Sequence, residues 1–232
     1  MMHVILIGPQ GSGKGTQSER IRSQLNLTSI ATGELFRSAI KDGTELGKQI
    51  QLIYDRGELI PDHLTVALVE ERIANLAREQ ERGSPLVGAL YDGFPRTYGQ
   101  ADALDRLLAD RGEAVTSVIA IDVPRETLMR RLAGRRVCAV CGRVYNVDFD
   151  PPTIDAVCDT CRGPVLQRAD DTQEAVGKRL DLYELETAPL VERYAEEGIL
   201  TRVDGDRVID SVTDAIVAAI QERIPVVATR GR

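Results

Sequence analysis

With 232 residues the chain is long enough for one well-packed domain carrying small inserts. Its 43% hydrophobic and 28% charged residues are ordinary for a globular protein, and no run approaches the ~18 apolar residues of a membrane span. A formal net charge of -7 argues against a non-specific nucleic-acid binder, which needs a cationic surface, but leaves room for a local basic pocket. The start of the chain has no cationic stretch leading into a long apolar run, so no secretory signal is expected and the cytoplasm is the expected compartment. Lysine occurs only at 14, 41, 48 and 178, and every other cation is arginine. A lysine inside a glycine loop is therefore more informative than any single arginine.

In chain order, residues 3–7 read as a short buried strand and 12–25 as a helix, with GPQGSGKGTQ (8–17) at their junction. Gly8, Gly13 and Lys14 satisfy G-x-x-x-x-G-K. Glycines there let successive backbone N–H groups turn inward, the helix adds its positive end, and Lys14 can bridge the outer phosphates of a nucleotide. The residue after Lys14 is Gly15, so the usual hydroxyl ligand of Mg²⁺ is missing; Thr16 must serve, or water must fill the shell.

A weaker strand, 28–31, precedes a wholly helical stretch, 32–83, punctuated by Gly43, Gly47, Gly57 and Pro61. Further strands are predicted at 86–91, 117–123 and 200–203, and helices at 100–108, 125–132 and 211–224. This alternation predicts an α/β fold with a mostly parallel sheet covered on both faces. Residues 134–171 lose helical periodicity and hold all four cysteines. The stretches 32–83 and 134–171 are both read as projecting from the sheet. Residues 172–197 are helical, with a kink expected at Pro189, which lacks the donor for the i−4 carbonyl. The tail, 225–232, is expected to fray.

A phosphate loop alone fits a hydrolase, a switch or a kinase, and a second anion site would separate them. YDGFPRT (91–97) supplies a candidate: Asp92 ends an apolar strand, where it can orient the waters of Mg²⁺, and Arg96 can clamp a phosphate bidentately. In isolation the same residues fit a plain strand end with a surface arginine. Cys138, Cys141, Cys158 and Cys161 form C-x2-C-x16-C-x2-C, the spacing of a closed, structural tetrahedral zinc site. Two disulfides are the alternative. A zinc ribbon gripping nucleic acid is another, although Arg136, Arg143 and Arg162 are offset by Asp148, Asp150, Asp155 and Asp159.

GPQGSGKGTQ, with its late threonine, resembles the loop of adenylate kinases and their close nucleoside-monophosphate kinase relatives. DGFPR (92–96) is similar to a signature of the same family, including a Phe-Pro bond that the family holds cis. ATGELFR (31–37) resembles its monophosphate-binding segment, which implies that Thr32 meets the acceptor base and Arg37 its phosphate. GELIPD (57–62) resembles the segment that passes the base by its backbone. Gln100 matches the amide that reads the adenine edge, since a carboxamide offers the donor and acceptor that N1 and N6 require. Alone, Thr32 would more often be a helix N-cap.

GRRV (134–137), GRVYN (142–146), Pro151-Pro152 and the RADD run (168–171) look like the long lid of the subset that staples it with metal. Glu174, Val176 and Arg179 continue the match.

The resemblance implies a five-stranded P-loop kinase core with a helical monophosphate-binding insert and a zinc-stapled lid. Its boundaries would be core 1–31, insert 32–61, core 62–133, lid 134–171, core 172–224 and tail 225–232. It implies Lys14, Arg96, Arg131, Arg135, Arg168 and Arg179 around the transferred phosphoryl group. ATP contacts would come from Gly11, Ser12, Gly13, Lys14, Gly15, Thr16, Arg135, Val144, Tyr145 and Arg207. AMP contacts would come from Thr32, Arg37, Glu58, Leu59, Ile60, Gly93, Phe94, Pro95, Arg96, Gln100, Arg168 and Arg179. Asp92 would hold the Mg²⁺ water shell, and Asp170 and Asp171 would serve lid closure.

The implied reaction is reversible, Mg²⁺-dependent transfer from ATP to AMP, giving two ADP and maintaining adenine-nucleotide balance. The expected protein is a monomer with nucleotides as partners, and neither nucleic acid nor membrane. The acceptor is a phosphate oxygen, so no general base is needed, in keeping with a chain whose two histidines, His3 and His63, lie outside the motifs. Gln100, Thr32 and the cysteine lid disfavour a kinase of another monophosphate, and Lys14, Asp92 and the arginine set disfavour a non-catalytic module. GTP as donor stays open. Departures from the family pattern are Gln10, where many relatives have Pro or Gly, Tyr54, near a position often Met, and a longer stretch at 78–90.

Overall fold

A computed structural model describes residues 1–54, 60–85, 87–167 and 171–223. The chain runs β1 (Met2–Ile7), α1 (Lys14–Leu25), β2 (Leu27–Ala31), α2 (Thr32–Lys41), α3 (Glu45–Tyr54), α4 (Asp62–Glu81), β3 (Gly88–Asp92), α5 (Tyr98–Ala109), β4 (Ser117–Asp122) and α6 (Arg125–Ala133). Three short strands follow, β5 (Arg135–Cys138), β6 (Val144–Asn146) and β7 (Val165–Leu166). The last elements are α7 (Gln173–Leu182), a π-turn (Tyr183–Thr187), α8 (Pro189–Glu196), β8 (Leu200–Asp204) and α9 (Ile209–Gln221).

Five strands make one parallel sheet in the order β2-β3-β1-β4-β8. Buried apolar residues alternate along β1 and β4, because successive side chains of a strand point to opposite faces. Ile5, Ile7, Val118 and Ala120 pack with α4, α5 and α8, whereas Val4, Leu6, Ile119 and Ile121 pack with α1 and α9. Both faces are covered, as a parallel sheet requires. The phosphate loop leaves the carboxyl end of the central strand, where ligand crevices open in such sheets.

The long helical stretch is broken where its punctuation falls, after Lys41 and after Tyr54. α2, α3 and the start of α4 share a separate small core of Ala39, Ile50, Leu64 and Leu68. Residues 135–166 hold a three-stranded antiparallel sheet, β6-β5-β7. The strand expected at 86–91 starts two residues later and ends one later, and Leu86 falls outside the described residues. The kink expected at Pro189 takes the form of the π-turn. Ala188 N–H reaches back to the Tyr183 carbonyl at 2.8 Å, and Pro189 starts α8, where a missing N–H costs nothing. Among the described residues no helix is long and apolar enough to cross a membrane.

Candidate active site

The phosphate loop is a concavity of backbone N–H groups. Gly11 and Gly13 take positive φ, 86° and 97°, a conformation that lets the loop curl. The first bond of α1 runs from Gln17 N–H to the Gly13 carbonyl at 2.9 Å, which leaves the amides of the opening turn without intrahelical acceptors. The Ser12 hydroxyl is buried with no hydrogen-bond partner among the described residues, an orphan that a phosphate oxygen would satisfy. Lys14 folds back over the loop and donates to the Gly8 carbonyl at 2.6 Å and the Pro9 carbonyl at 2.9 Å. Burial brings its ammonium down to about 8, with Asp92 opposing the fall and Arg96 and Arg135 adding to it. Gly15 and Thr16 are exposed at the helix mouth.

Strand register brings the second motif alongside. Leu6 pairs with Asp92 on one side and Ala31 pairs with it on the other, so the ends of β1, β2 and β3 are level. Burial raises the Asp92 carboxyl, and the Lys14 and Arg96 charges pull it back. A Cβ on Gly15 would lie 3.7 Å from Asp92 Oδ2, so carboxylate and loop face each other. Gly93, at φ 76°, turns its carbonyl toward two donors: Arg96 Nε at 2.8 Å and the Thr32 hydroxyl at 3.1 Å. Thr32 is thus not the helix cap; Ala31 holds that position. The Phe94-Pro95 bond is cis. The Thr187 hydroxyl pins this loop from α8's side by donating to the Arg96 carbonyl at 2.9 Å. Arg37 is exposed, one of its guanidinium nitrogens 3.4 Å from where a Cβ on Gly33 would sit. Ile60 packs against the small core of α2–α4.

Among the described residues the other expected cations each hold an internal acceptor. Arg135 grips the buried Asp171 carboxylate bidentately through Nε and Nη2. Arg179 Nη1 donates to Gln10 Oε1 at 3.1 Å, giving the unusual Gln10 a partner. Arg131 turns to the Gly205 carbonyl at 3.0 Å and Asp206 at 3.4 Å, and Arg207 to Asp204 at 3.0 Å. Glu58, Leu59, Arg168 and Asp170 lie outside the described residues, as does the Tyr54 side chain.

The Tyr145 side chain, 1% exposed, fills the lid's core. Its hydroxyl donates to Cys158 Sγ at 3.3 Å and accepts from Asp159 N–H at 2.8 Å. Neighbouring Val144 is exposed, so of this pair only Val144 offers a side chain outward.

The four cysteine sulfurs all lie within 4.8 Å of one another. A tetrahedral zinc with Zn–S bonds of about 2.3 Å sets its sulfurs about 3.8 Å apart, whereas a disulfide needs about 2.05 Å. The Cys138–Cys161 and Cys141–Cys158 sulfur separations, 3.4 and 3.5 Å, match the first and exclude the second. Two equivalent knuckles present them. Gly142 N–H and Arg162 N–H return to the carbonyls of Cys138 and Cys158 at 3.0 and 2.9 Å, each residue at positive φ. The Tyr145 hydroxyl holds the Cys158 thiol below its ordinary range, against the opposing effect of burial.

Sequence reasoning missed Asp62, whose carboxylate receives both the Thr97 hydroxyl, at 2.6 Å, and the Gln100 amide, at 2.7 Å. The signal available was an acid just after Pro61 at a helix start, which reads equally well as a partner for the helix dipole.

A phosphate loop that shares one crevice with the Arg96 guanidinium suits a kinase whose acceptor is itself a phosphate ester, and the class is the P-loop nucleoside-monophosphate kinases. The family model described as adenylate kinase matches residues 6–199. The chain is 47% identical over 221 residues to an adenylate kinase of Carboxydothermus hydrogenoformans, covering 95% of this chain and 100% of the relative. It is also 47% identical over 219 residues to one of Moorella thermoacetica, covering 94% and 98%, and 45% identical over 219 residues to one of Clostridioides difficile, again covering 94% and 98%. The chain belongs to the adenylate kinase family.

Proposed function

We propose that this chain catalyses reversible, Mg²⁺-dependent phosphoryl transfer from ATP to AMP, yielding two ADP and keeping adenine nucleotides in balance. The observation that carries the reading is the convergence of Lys14, Asp92 and Arg96 at the level carboxyl ends of β1 and β3. Phosphoryl transfer through a loose transition state asks for charge neutralisation and alignment more than for bond-forming side chains. Lys14 and the loop amides, Gly11 to Thr16, serve the donor phosphates. Arg96, Arg37 and Arg179 serve the acceptor phosphate, with Arg131, Arg135 and Arg168 joining at the transferred group. Mg²⁺, when bound, neutralises the β- and γ-phosphate oxygens, and Asp92 would hold it through water. The acceptor oxygen is already anionic near neutral pH, so no side chain has to remove a proton.

Thr32, Gln100 and the backbone of residues 58–60 would line the acceptor base, and Val144 and Arg207 the donor nucleoside. The inserts 32–61 and 134–171 would fold over the two nucleotides and exclude water, Asp170 and Asp171 tethering the lid. Cys138, Cys141, Cys158 and Cys161 would hold zinc in a closed site that braces the lid without touching the chemistry. The reading includes a cytoplasmic monomer without nucleic-acid or membrane partners, and the net charge of -7 supports the lack of non-specific nucleic-acid binding. A coupled assay of ADP formation, with AMP, GMP, UMP and CMP offered separately and ATP compared with GTP as donor, tests it. AMP with ATP should be the fastest pair, and equal rates on all four acceptors would defeat the assignment.

A further inference from the structure

The Gln100 carboxamide, in a residue 4% exposed, is engaged at both ends by protein groups. Its Oε1 accepts from the Arg96 backbone N–H at 2.8 Å, and its Nε2 donates to Asp62 Oδ1 at 2.7 Å. Asp62, the first residue of α4, is fixed in turn. Its Oδ2 accepts from the Thr97 hydroxyl at 2.6 Å, and that hydroxyl oxygen accepts from the Gln100 backbone N–H at 3.1 Å. Gly99 leaves the space for this approach, since a Cβ there would lie 3.2 Å from Asp62 Oδ2.

Each bond in this ring has only one possible direction. A backbone N–H can only donate and an ionised carboxylate can only accept. Turning the amide over would set Nε2 against the Arg96 N–H and Oε1 against the carboxylate, breaking two hydrogen bonds at a buried group. Among the described residues, one amide N–H and one oxygen lone pair stay uncommitted.

We infer that Asp62 is a specificity-determining positioning residue, which locks the Gln100 amide in the orientation that suits a 6-aminopurine monophosphate and rejects a 6-oxopurine. This rests on the proposed role of Gln100 at the acceptor base. In adenine the 6-amino group donates and N1 accepts; a 6-oxopurine reverses both. The uncommitted lone pair and N–H match the first pattern, and the second would need the inverted amide that Asp62 and the Arg96 N–H together forbid.

Asp62→Asn and Asp62→Ala, assayed beside the unaltered chain with AMP and IMP as acceptors, test the lock. Both variants should lower the ratio of kcat/KM for AMP over IMP by about tenfold or more, through a higher KM for AMP, with the KM for ATP unmoved. A merely structural role would weaken both acceptors alike. A ratio within about twofold of the unaltered value, in a variant that melts normally, overturns the inference.

Gln100→Ala separates the two layers of the argument. If it leaves the ratio intact, the reading of Gln100 fails and the lock with it. If it collapses the ratio while Asp62→Asn does not, only the lock fails. Should the Asp62 variants not fold, the unaltered chain still answers. Purine riboside monophosphate keeps the N1 acceptor and lacks the 6-oxygen, so it should be a better acceptor than IMP; the reverse order overturns the proposal.

Discussion

Raising the pH from about 7 to about 9 titrates Lys14 in the free protein, because burial in the phosphate loop holds its ammonium at about 8. About nine in ten copies carry the charge at the lower pH and about one in ten at the higher. The parameter kcat/KM reports ionisations of the free enzyme, so for ATP it should fall about tenfold across that window. At saturating nucleotide kcat should fall much less, since a bound polyphosphate raises the pKa of the ammonium against it.

Unfolding does not explain such a loss, as the sign of the linkage makes clear. The folded value lies below that of an unfolded lysine, so the folded chain binds fewer protons between the two values. This group's contribution to stability therefore rises as the pH climbs from about 8 toward about 10.4. Initial rates from the coupled assay, taken with a melting curve at each pH, read both quantities. Lys14→Arg keeps its charge throughout and should flatten the profile at a lower absolute rate. Lys14→Met, which also abandons the Gly8 and Pro9 carbonyls, should cost about a thousandfold in turnover. A kcat/KM profile that stays level to pH about 9.5, or a Lys14→Arg profile with the same midpoint, would refute the reasoning.

Gly47→Ala should raise the KM for AMP more than the KM for ATP and lower stability by about 3 kcal/mol, because a Cβ there would sit 1.9 Å from the Ala39 carbonyl and force α3 off α2. Matched KM changes for both nucleotides would argue against an acceptor role for that insert. Metal analysis should find about one zinc per chain, and removing it with a chelator should lower the melting temperature by about 5 °C or more while room-temperature turnover changes little. A zinc-free preparation that melts unchanged would refute the brace.

What could be read in the sequence was whatever depends on local spacing. The strand, glycine loop and helix at residues 2–25, the helix breaks near Gly43 and Pro61, and the cysteine quartet all rest on neighbours within a few residues. Long-range partners were not legible. A motif gives Arg131 a role, but whether its guanidinium faces the cleft or the Gly205 carbonyl depends on how α6 rotates against the loop after β8. The inward face of β6 was not legible either, because the sequence of a three-residue strand does not say that Tyr145 points inward; only the sheet that forms over the cysteines decides it. The π-turn escaped for a related reason, since Pro189 announces a broken hydrogen bond but not the way the helix accommodates it. The ring around Gln100 joins residues 35 and 38 positions apart, a closure that no periodicity encodes.

The same long-range contacts bear on how the proposed reaction would proceed. Lys14 rests on two carbonyls, Arg96 on the Gly93 carbonyl and Arg135 on Asp171. Arriving phosphates would not draw these cations in from water; they would compete with acceptors already in place. Where the internal acceptor is a neutral carbonyl or amide, a phosphate oxygen forms the stronger, charge-assisted bond, and the exchange favours binding. Where it is a buried carboxylate, as for Arg135, the exchange is close to even, and releasing it would strand Asp171. Arg135 should therefore stay on Asp171 and bring its remaining N–H group to the nucleotide, so the pair would act as one rigid unit that moves with the lid. Asp171→Asn would then weaken ATP binding through Arg135 without touching any phosphate contact, and the loss should be smaller than for Arg135→Ala, which removes the contact itself.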